Sequence, residues 1–395
     1  MLRAKTNEGK LVTLASLTKT EIAKHRKKQF YCPSCNEQVI LKAGSKMIPH
    51  FAHRSKPGCP SYEGGEGHYH EKGKLILLQW LKQQQIDAEL EVHMPVINQR
   101  PDLLINIGKK IIALEFQSAR VPVEQINSRN EGYKRAGITP IWILGANRFS
   151  RLTQHHLKMN QFLLHFIHQF SQTFPPTLYF FCPDTLQFIL FQDIQLTSLN
   201  RSVGKIRIYQ LNQMKLTDLF QHNPLGDNTL YHLWIREKRR FRLQQRHHLR
   251  GRELAFHQWL YLKQTHIEFL PSIVHLPVAS QYLMKSAAWD WQCRLLLDIL
   301  DLLPIGGQFS YSACRHLLRN HLISPSSFPL IKSHANPIWE YLHLLTKLRV
   351  VKQLSSELFM KVTEIKFHKN VEDALEADEK VIHALQTTLP NKIQA

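Results

Sequence analysis

Across the first fourteen residues, apolar and polar positions alternate in two short runs on either side of Asn7-Glu8-Gly9, which predicts a hairpin over Leu2 to Leu14. The period then lengthens: between His68 and Gln83, Leu75, Leu78 and Leu81 recur at helical spacing with Ile76 and Trp80 beside them. Arg100 to Ile107 alternates over part of its length, Gly108-Lys109 follows, and Lys110 to Gln117 is apolar again, predicting a second hairpin with a tight polar turn. Pro122 to Ala136 fits a helix, with the proline tolerated in the first turn, and Thr139 to Leu144 is an apolar strand closed by Gly145. A helix before a hairpin and another between strands make an α/β layered domain. Arg151 to Phe174 reads as a helix-like run, and Thr177 to Gln192 as a further hairpin turning at Pro183-Asp184-Thr185. From Leu216 onward the pattern is mostly helical, punctuated by Pro271, Pro277, Pro304 and Pro325.

The Gly- and Pro-rich residues 56–67 read as a connection, so three parts are expected: an amino-terminal module at 1–62, an α/β domain at 63–150 and a mostly helical region at 151–395. Charge changes the picture more than composition does. Lys and Arg number 51 against 31 Asp and Glu, a formal charge of +20, which draws polyanions by counterion release and makes nucleic acid the leading partner class. Six cysteines are too few for a disulfide framework in 395 residues. The first ten residues carry no apolar core of a secretory signal, and the apolar stretches near 162–181 and 295–303 are broken by polar residues or prolines. A reducing cytoplasm is the expected location, with no membrane span.

Cys32 and Cys35 put two thiolates on one tight turn, and His50 and His53 follow as two imidazoles three apart. Paired Cys and His spacings of this kind suit tetrahedral Zn²⁺ in a closed, structural site. Cys59 is a fifth candidate and could replace one of the histidines.

If the turn is Gly108-Lys109, Ile107 pairs with Lys110, and the register carried back sets Asp102 opposite Glu115. Two facing carboxylates destabilise a sheet unless something positive lies between them, and a divalent cation such as Mg²⁺ or Mn²⁺ is the obvious candidate. Gln117 lies on the same face as Glu115. His70 and Lys74, one turn apart on the preceding helix, face the same way, with Glu66 and Glu71 nearby; either acid, or His70, could complete the inner shell of the metal.

Pro101-Asp102 followed by Glu115-Phe116-Gln117 resembles the PD-(D/E)xK nuclease core, with Gln117 where Lys is usual. The wider series is Cys-Pro-Ser-Cys35, His-Phe-Ala-His53, Glu66 with His70 and Lys74, Arg-Pro-Asp102, Glu-Phe-Gln-Ser118, Arg129 with Tyr133, and Trp-Ile-Leu-Gly145. Read together, these resemble the competence protein CoiA family. The resemblance implies a zinc-finger-like module, a restriction-endonuclease-like α/β domain and a further carboxy-terminal region. It also implies a metal-dependent deoxyribonuclease acting on incoming single-stranded DNA in natural transformation, or handing that DNA to recombination proteins. In that reading Asp102 and Glu115 are ligands, Gln117 positions water, and His70 or Lys74 assists metal or phosphate. The rival is a DNA-binding recombination accessory that uses a degenerate nuclease fold and cleaves nothing; a neutral amide at Gln117 keeps it open.

Two further sets of residues are candidates for DNA contact. Arg129 and Tyr133 sit one helical turn apart and could meet a phosphate or a base. Arg236, Lys238, Arg239, Arg240 and Arg242 form the densest positive run, which could follow a backbone while Trp234 and Phe241 either stack on unpaired bases or fill the core.

Overall fold

A computed structural model describes residues 1–14, 17–44, 48–54, 59, 67–244, 248–333 and 335–387. The amino-terminal module is a five-stranded antiparallel sheet of β1 (Arg3–Thr6), β2 (Leu11–Thr13), β3 (Phe30–Tyr31), β4 (Gln38–Lys42) and β5 (His50–His53), in the order β2-β1-β3-β4-β5. Helix α1 (Lys19–His25) is capped by Thr18 and Glu21, each closing the other's backbone N–H. Ala4, Leu14, Phe30, Val39 and Phe51 form its small core.

The central unit is a mixed eight-stranded sheet. Helix α2 (His68–Gln83) leads into β6 (Asp87–Leu90), β7 (Leu103–Ile107) and β8 (Lys110–Gln117); α3 (Val123–Arg135) then crosses to β9 (Thr139–Gly145). Strands β10 (His156–Lys158), β11 (Thr177–Cys182), β12 (Gln187–Ser198) and β13 (Arg201–Gln210) complete the order β10-β13-β12-β11-β9-β8-β7-β6. The β8–β9 and β9–β11 pairs are parallel and the others antiparallel. Alternation divides β8 between two layers. Ile112, Leu114 and Phe116 pack with Leu77, Trp80 and Leu81 of α2, whereas Ala113 packs with Tyr133 of α3.

The expected hairpin at 177–192 is present, but it belongs to this same sheet, which runs past residue 150 to Gln210. The helix-like reading of 151–174 fails. That segment holds β10, a single helical turn, α4 (Gln161–Leu164), and irregular chain, with Phe162, Leu163, Leu164, Phe166 and Ile167 all buried. A run buried on every side carries no periodicity by which to tell helix from strand.

Beyond the sheet come α5 (Asp227–Leu243), α6 (Gly251–Leu262) and α7 (Ala288–Leu295). The three-stranded sheet of β14 (Gln308–Ser310), β15 (Val351–Gln353) and β16 (Leu358–Lys361) follows, with α8 (Tyr311–Leu317), α9 (Pro337–Lys347) and α10 (Val371–Thr387). Trp234, Phe241, Trp291, Tyr341 and Ile382 lie in their shared core. Among the described residues no helix is long and apolar enough to cross a membrane.

Candidate active site and metal centre

The Gly108-Lys109 turn sets the register as the spacing predicts: Ile107 pairs with Lys110 and Leu103 with Leu114, so the next residues out are Asp102 and Glu115. Gly108 takes φ +57°, which an L side chain rarely adopts. Asp102 stands just ahead of β7 and its Oδ2 accepts from the backbone N–H of Phe116 at 2.8 Å. Its Oδ1 lies 3.4 Å from His70 Nε2 and 3.6 Å from Lys74 Nζ, so both α2 residues reach the carboxylate. Gly73 allows that approach, since a Cβ there would meet the Phe116 ring at 2.1 Å.

Glu115 points to the opposite layer, where the Tyr133 hydroxyl and an Arg129 N–H both donate to its Oε1. Burial, and next the charge of Asp102, push its carboxyl well above the usual range. Arg129 and Tyr133 are therefore placed at the acidic pair and not on an outer surface. Tyr133 is fully buried, which corrects its assignment to direct DNA contact. Gln117 shares the strand face with Glu115, half-exposed, and its amide N–H donates to the Ala119 carbonyl at 2.9 Å. Glu66 lies outside the described residues.

The sequence reading missed Glu91. It follows β6, it is buried, and its Oε1 takes the Lys74 ammonium at 2.7 Å while Oε2 accepts the Leu2 N–H at 2.7 Å. Arg100 stands 3.7 Å away. Burial alone would raise this carboxyl, but Lys74 and Arg100 hold it well below the usual range. Its φ of +49° is a left-handed conformation that a glutamate adopts only when its surroundings hold it. The signal was available: Leu90 pairs with Leu103, so the logic that set Glu115 opposite Asp102 sets Glu91 on the other side of it.

In the amino-terminal module, Cys32, Cys35, His53 and Cys59 bring their ligand atoms within 4.8 Å of one another. Cys32 and Cys59 sulfurs are 3.9 Å apart, and Cys35 sulfur is 3.4 Å from His53 Nε2. Tetrahedral zinc with its usual bond lengths needs about 3.8 Å between two sulfurs and about 3.6 Å between sulfur and nitrogen, so the four side chains fit the ion. The Cys32 turn is tight, with the Asn36 N–H returned to the Cys32 carbonyl at 3.0 Å and Asn36 at φ +58°. Burial would raise the Cys32 thiol; backbone N–H groups of Cys35 and Ser34 outweigh it and hold it low, as a thiolate ligand requires. His50 is not in the cluster. On a strand, residues three apart face opposite ways, and its Nδ1 lies 2.9 Å from the Ile48 carbonyl. Cys59 takes the fourth place.

The basic helix is corrected in part. Arg236, Arg239 and Arg240 are exposed on α5, but Lys238 and Arg242 are buried against Asp378 of α10, at 3.2 and 2.6 Å. Lys238 is lowered to about 8 by burial. Trp234 and Phe241 are core residues, the indole N–H donating to the His275 carbonyl at 2.7 Å, which excludes stacking on a base.

Three family models match the chain in succession: the amino-terminal domain of competence protein CoiA at residues 14–62, its nuclease-like domain at 66–224 and its carboxy-terminal domain at 230–375. The nuclease-like match spans the whole eight-stranded sheet. No solved structure matches. The competence protein CoiA of Bacillus subtilis (strain 168) is 28% identical over 343 residues, covering 85% of this chain and 91% of that protein. With all three domains matched in order and with the relative aligned along most of both lengths, this chain belongs to the competence protein CoiA family.

Proposed function

We propose that the protein is a metal-dependent deoxyribonuclease with a PD-(D/E)xK-type centre, acting on single-stranded DNA taken up during natural transformation. The observation that carries the reading is the placing of Asp102 and Glu115 at the ends of adjacent strands, close enough for the charge of Asp102 to push Glu115 upward. The donor set suits Mg²⁺ or Mn²⁺, which take one or two carboxylates and leave their remaining positions to water and substrate phosphate. When bound, such an ion supplies charge to the phosphodiester and lowers the pKa of the water beside it. The chain's own residues do the rest. Arg129 and Tyr133 both donate to Oε1 of Glu115 and hold in one orientation the carboxylate that would ligate the cation. The Phe116 N–H orients Asp102 through Oδ2, while His70 and Lys74, 3.4 and 3.6 Å from Oδ1, set positive or polar groups beside the same carboxylate. Gln117, a neutral amide on the Glu115 face, orients water without adding charge. The competence name of the relative supports the biological setting, and the +20 charge supports a nucleic-acid substrate.

The test incubates purified protein with labelled single- and double-stranded DNA in Mg²⁺, Mn²⁺ or EDTA, beside the Asp102→Ala/Glu115→Ala double variant. Metal-dependent products from the wild type alone are expected. Equal products from the variant would sink the site. Binding without cleavage under every condition would favour a DNA-binding accessory, a reading supported by the cations already seated on both carboxylates.

A further inference from the structure

A cavity of about 500 Å³ opens far from the carboxylate pair, where the turn between β12 and β13 meets the end of α5 and the starts of α6 and α7. From the strand register it lies three strands and seven residues from Glu115, roughly 25–30 Å away. Its volume is within the range of small-molecule and nucleotide sites, about 300–1,000 Å³.

Its charges are uneven. Glu237 is taken up by Arg201 at 3.0 Å and faces His156 at 3.1 Å, and Asp290 is taken up by Arg294 at 2.6 Å. Arg240, Arg250 and Arg252, all exposed, then face the cavity against Glu253. Arg240 donates to the Gln244 side chain and Arg252 to the Lys285 carbonyl, contacts that aim the guanidinium groups without cancelling their charge. Trp289 forms an aromatic wall, half-buried, stacked at 5.6 Å on Phe241 and set at 4.9 Å from Phe256. A positive rim beside a rigid, half-buried indole is the combination that holds single strands: guanidinium groups follow the phosphates and a base lies against the ring.

We propose that this cavity is a second nucleic-acid site, which holds a segment of single-stranded DNA through Arg240, Arg250 and Arg252 with one base against Trp289, remote from the carboxylate pair. The inference rests on the reading of the protein as one that processes DNA. It also gives the basic run a role that the buried Lys238 and Arg242 cannot fill, since the exposed arginines at its end converge on one opening. A strand long enough to reach both places is held at one while it is presented at the other.

The test is the binding of a fluorescein-labelled oligo(dT) of about 16 nucleotides, followed by anisotropy in EDTA between about 50 and 200 mM salt. Arg240→Gln/Arg252→Gln is compared with Lys366→Gln/Lys369→Gln, which removes the same charge from an exposed segment outside the cavity. The cavity pair is expected to weaken binding at least about tenfold and to flatten the log–log salt slope by about 1.4, since each single-strand phosphate contact contributes about 0.7. The control pair is expected to change binding less than about twofold. An oligonucleotide with abasic sites is expected to bind the wild type at least about fivefold more weakly, because stacking is lost. Equal losses in the two pairs, no loss in the cavity pair, or no binding by the wild type would overturn the proposal; equal binding of the abasic strand would remove Trp289 from it. Without divalent ions the experiment is silent about cleavage, so its failure leaves the carboxylate centre standing, and a failed cleavage assay leaves this curve unchanged.

Discussion

Glu91 holds together three things that the sequence keeps apart: Lys74 on α2, Arg100 ahead of β7 and the backbone of β1. Replacing it with alanine takes the 2.7 Å acceptor from the fully buried Lys74 ammonium, with Asp102 standing farther off at 3.6 Å, and leaves the Leu2 N–H without its 2.7 Å acceptor. Breaking a buried ion pair by removing one partner costs about 3–5 kcal/mol, and Glu91→Ala belongs at the top of that range because a second donor is stranded with the first. Lys74→Met belongs at the bottom, since Glu91 keeps Leu2 and Arg100. The double variant Lys74→Met/Glu91→Ala removes both charges and leaves chiefly the Leu2 N–H unmet, a cost of about 1–3 kcal/mol. Its total therefore falls at least about 2 kcal/mol short of the sum of the single variants. Native-state hydrogen exchange of the β7 and β8 amides measures the opening of this sheet in isolation from the rest of the chain. Costs that simply add, or a Glu91→Ala cost below about 1 kcal/mol, would refute the coupling.

Two other outcomes follow from geometry already described. Cys59→Ser and His53→Ala should each lower bound zinc, read by metal analysis of the purified protein, while His50→Ala keeps a full complement; loss on His50→Ala would put the fourth ligand back on that residue. His168 and His275 are buried and pushed down to about 3 and about 4 by desolvation, so the folded chain stays unprotonated where the unfolded chain takes a proton near pH 6.5. Their contribution is complete above about pH 6.5 and is lost as pH falls, by about 1.4 kcal/mol per unit for each histidine. His168→Gln, which keeps an acceptor for the Trp142 N–H, should flatten the unfolding free energy by that amount per unit between about pH 6 and pH 4; an unchanged slope would refute it.

What could be read from the sequence was what a short-range rule controls. The hairpin at 100–117 was legible because a two-residue turn fixes its register, and with it the pairing of Asp102 with Glu115. Glu91 escaped because β6 is four residues long, with its acids on the exposed face, and so carries little alternation to recognise. The histidine pair misled because a spacing of three is a helical neighbour and a strand opposite, and β5 is a strand. Lys238 and Arg242 looked like part of a charged surface because their partner, Asp378, is 136 residues beyond Arg242 and no local pattern announces it. The same distance problem hid the end of the large sheet, whose last three strands, β11, β12 and β13, follow a segment with no readable period.

The bond between the Leu2 N–H and Glu91 also sets an order in time. Its two ends are 89 residues apart, so at synthesis rates of about 5–20 residues per second β1 waits roughly 4–18 seconds for its acceptor. The amino-terminal sheet can assemble in that interval, but its edge against the central domain is finished only once β6 has been made. A fragment that begins after the cysteine module carries the opposite defect, with the Glu91 carboxylate buried and one donor short. Cutting the chain at the seam between its first two family matches would therefore divide a hydrogen-bonded unit, and the isolated nuclease-like piece should be the less stable for it.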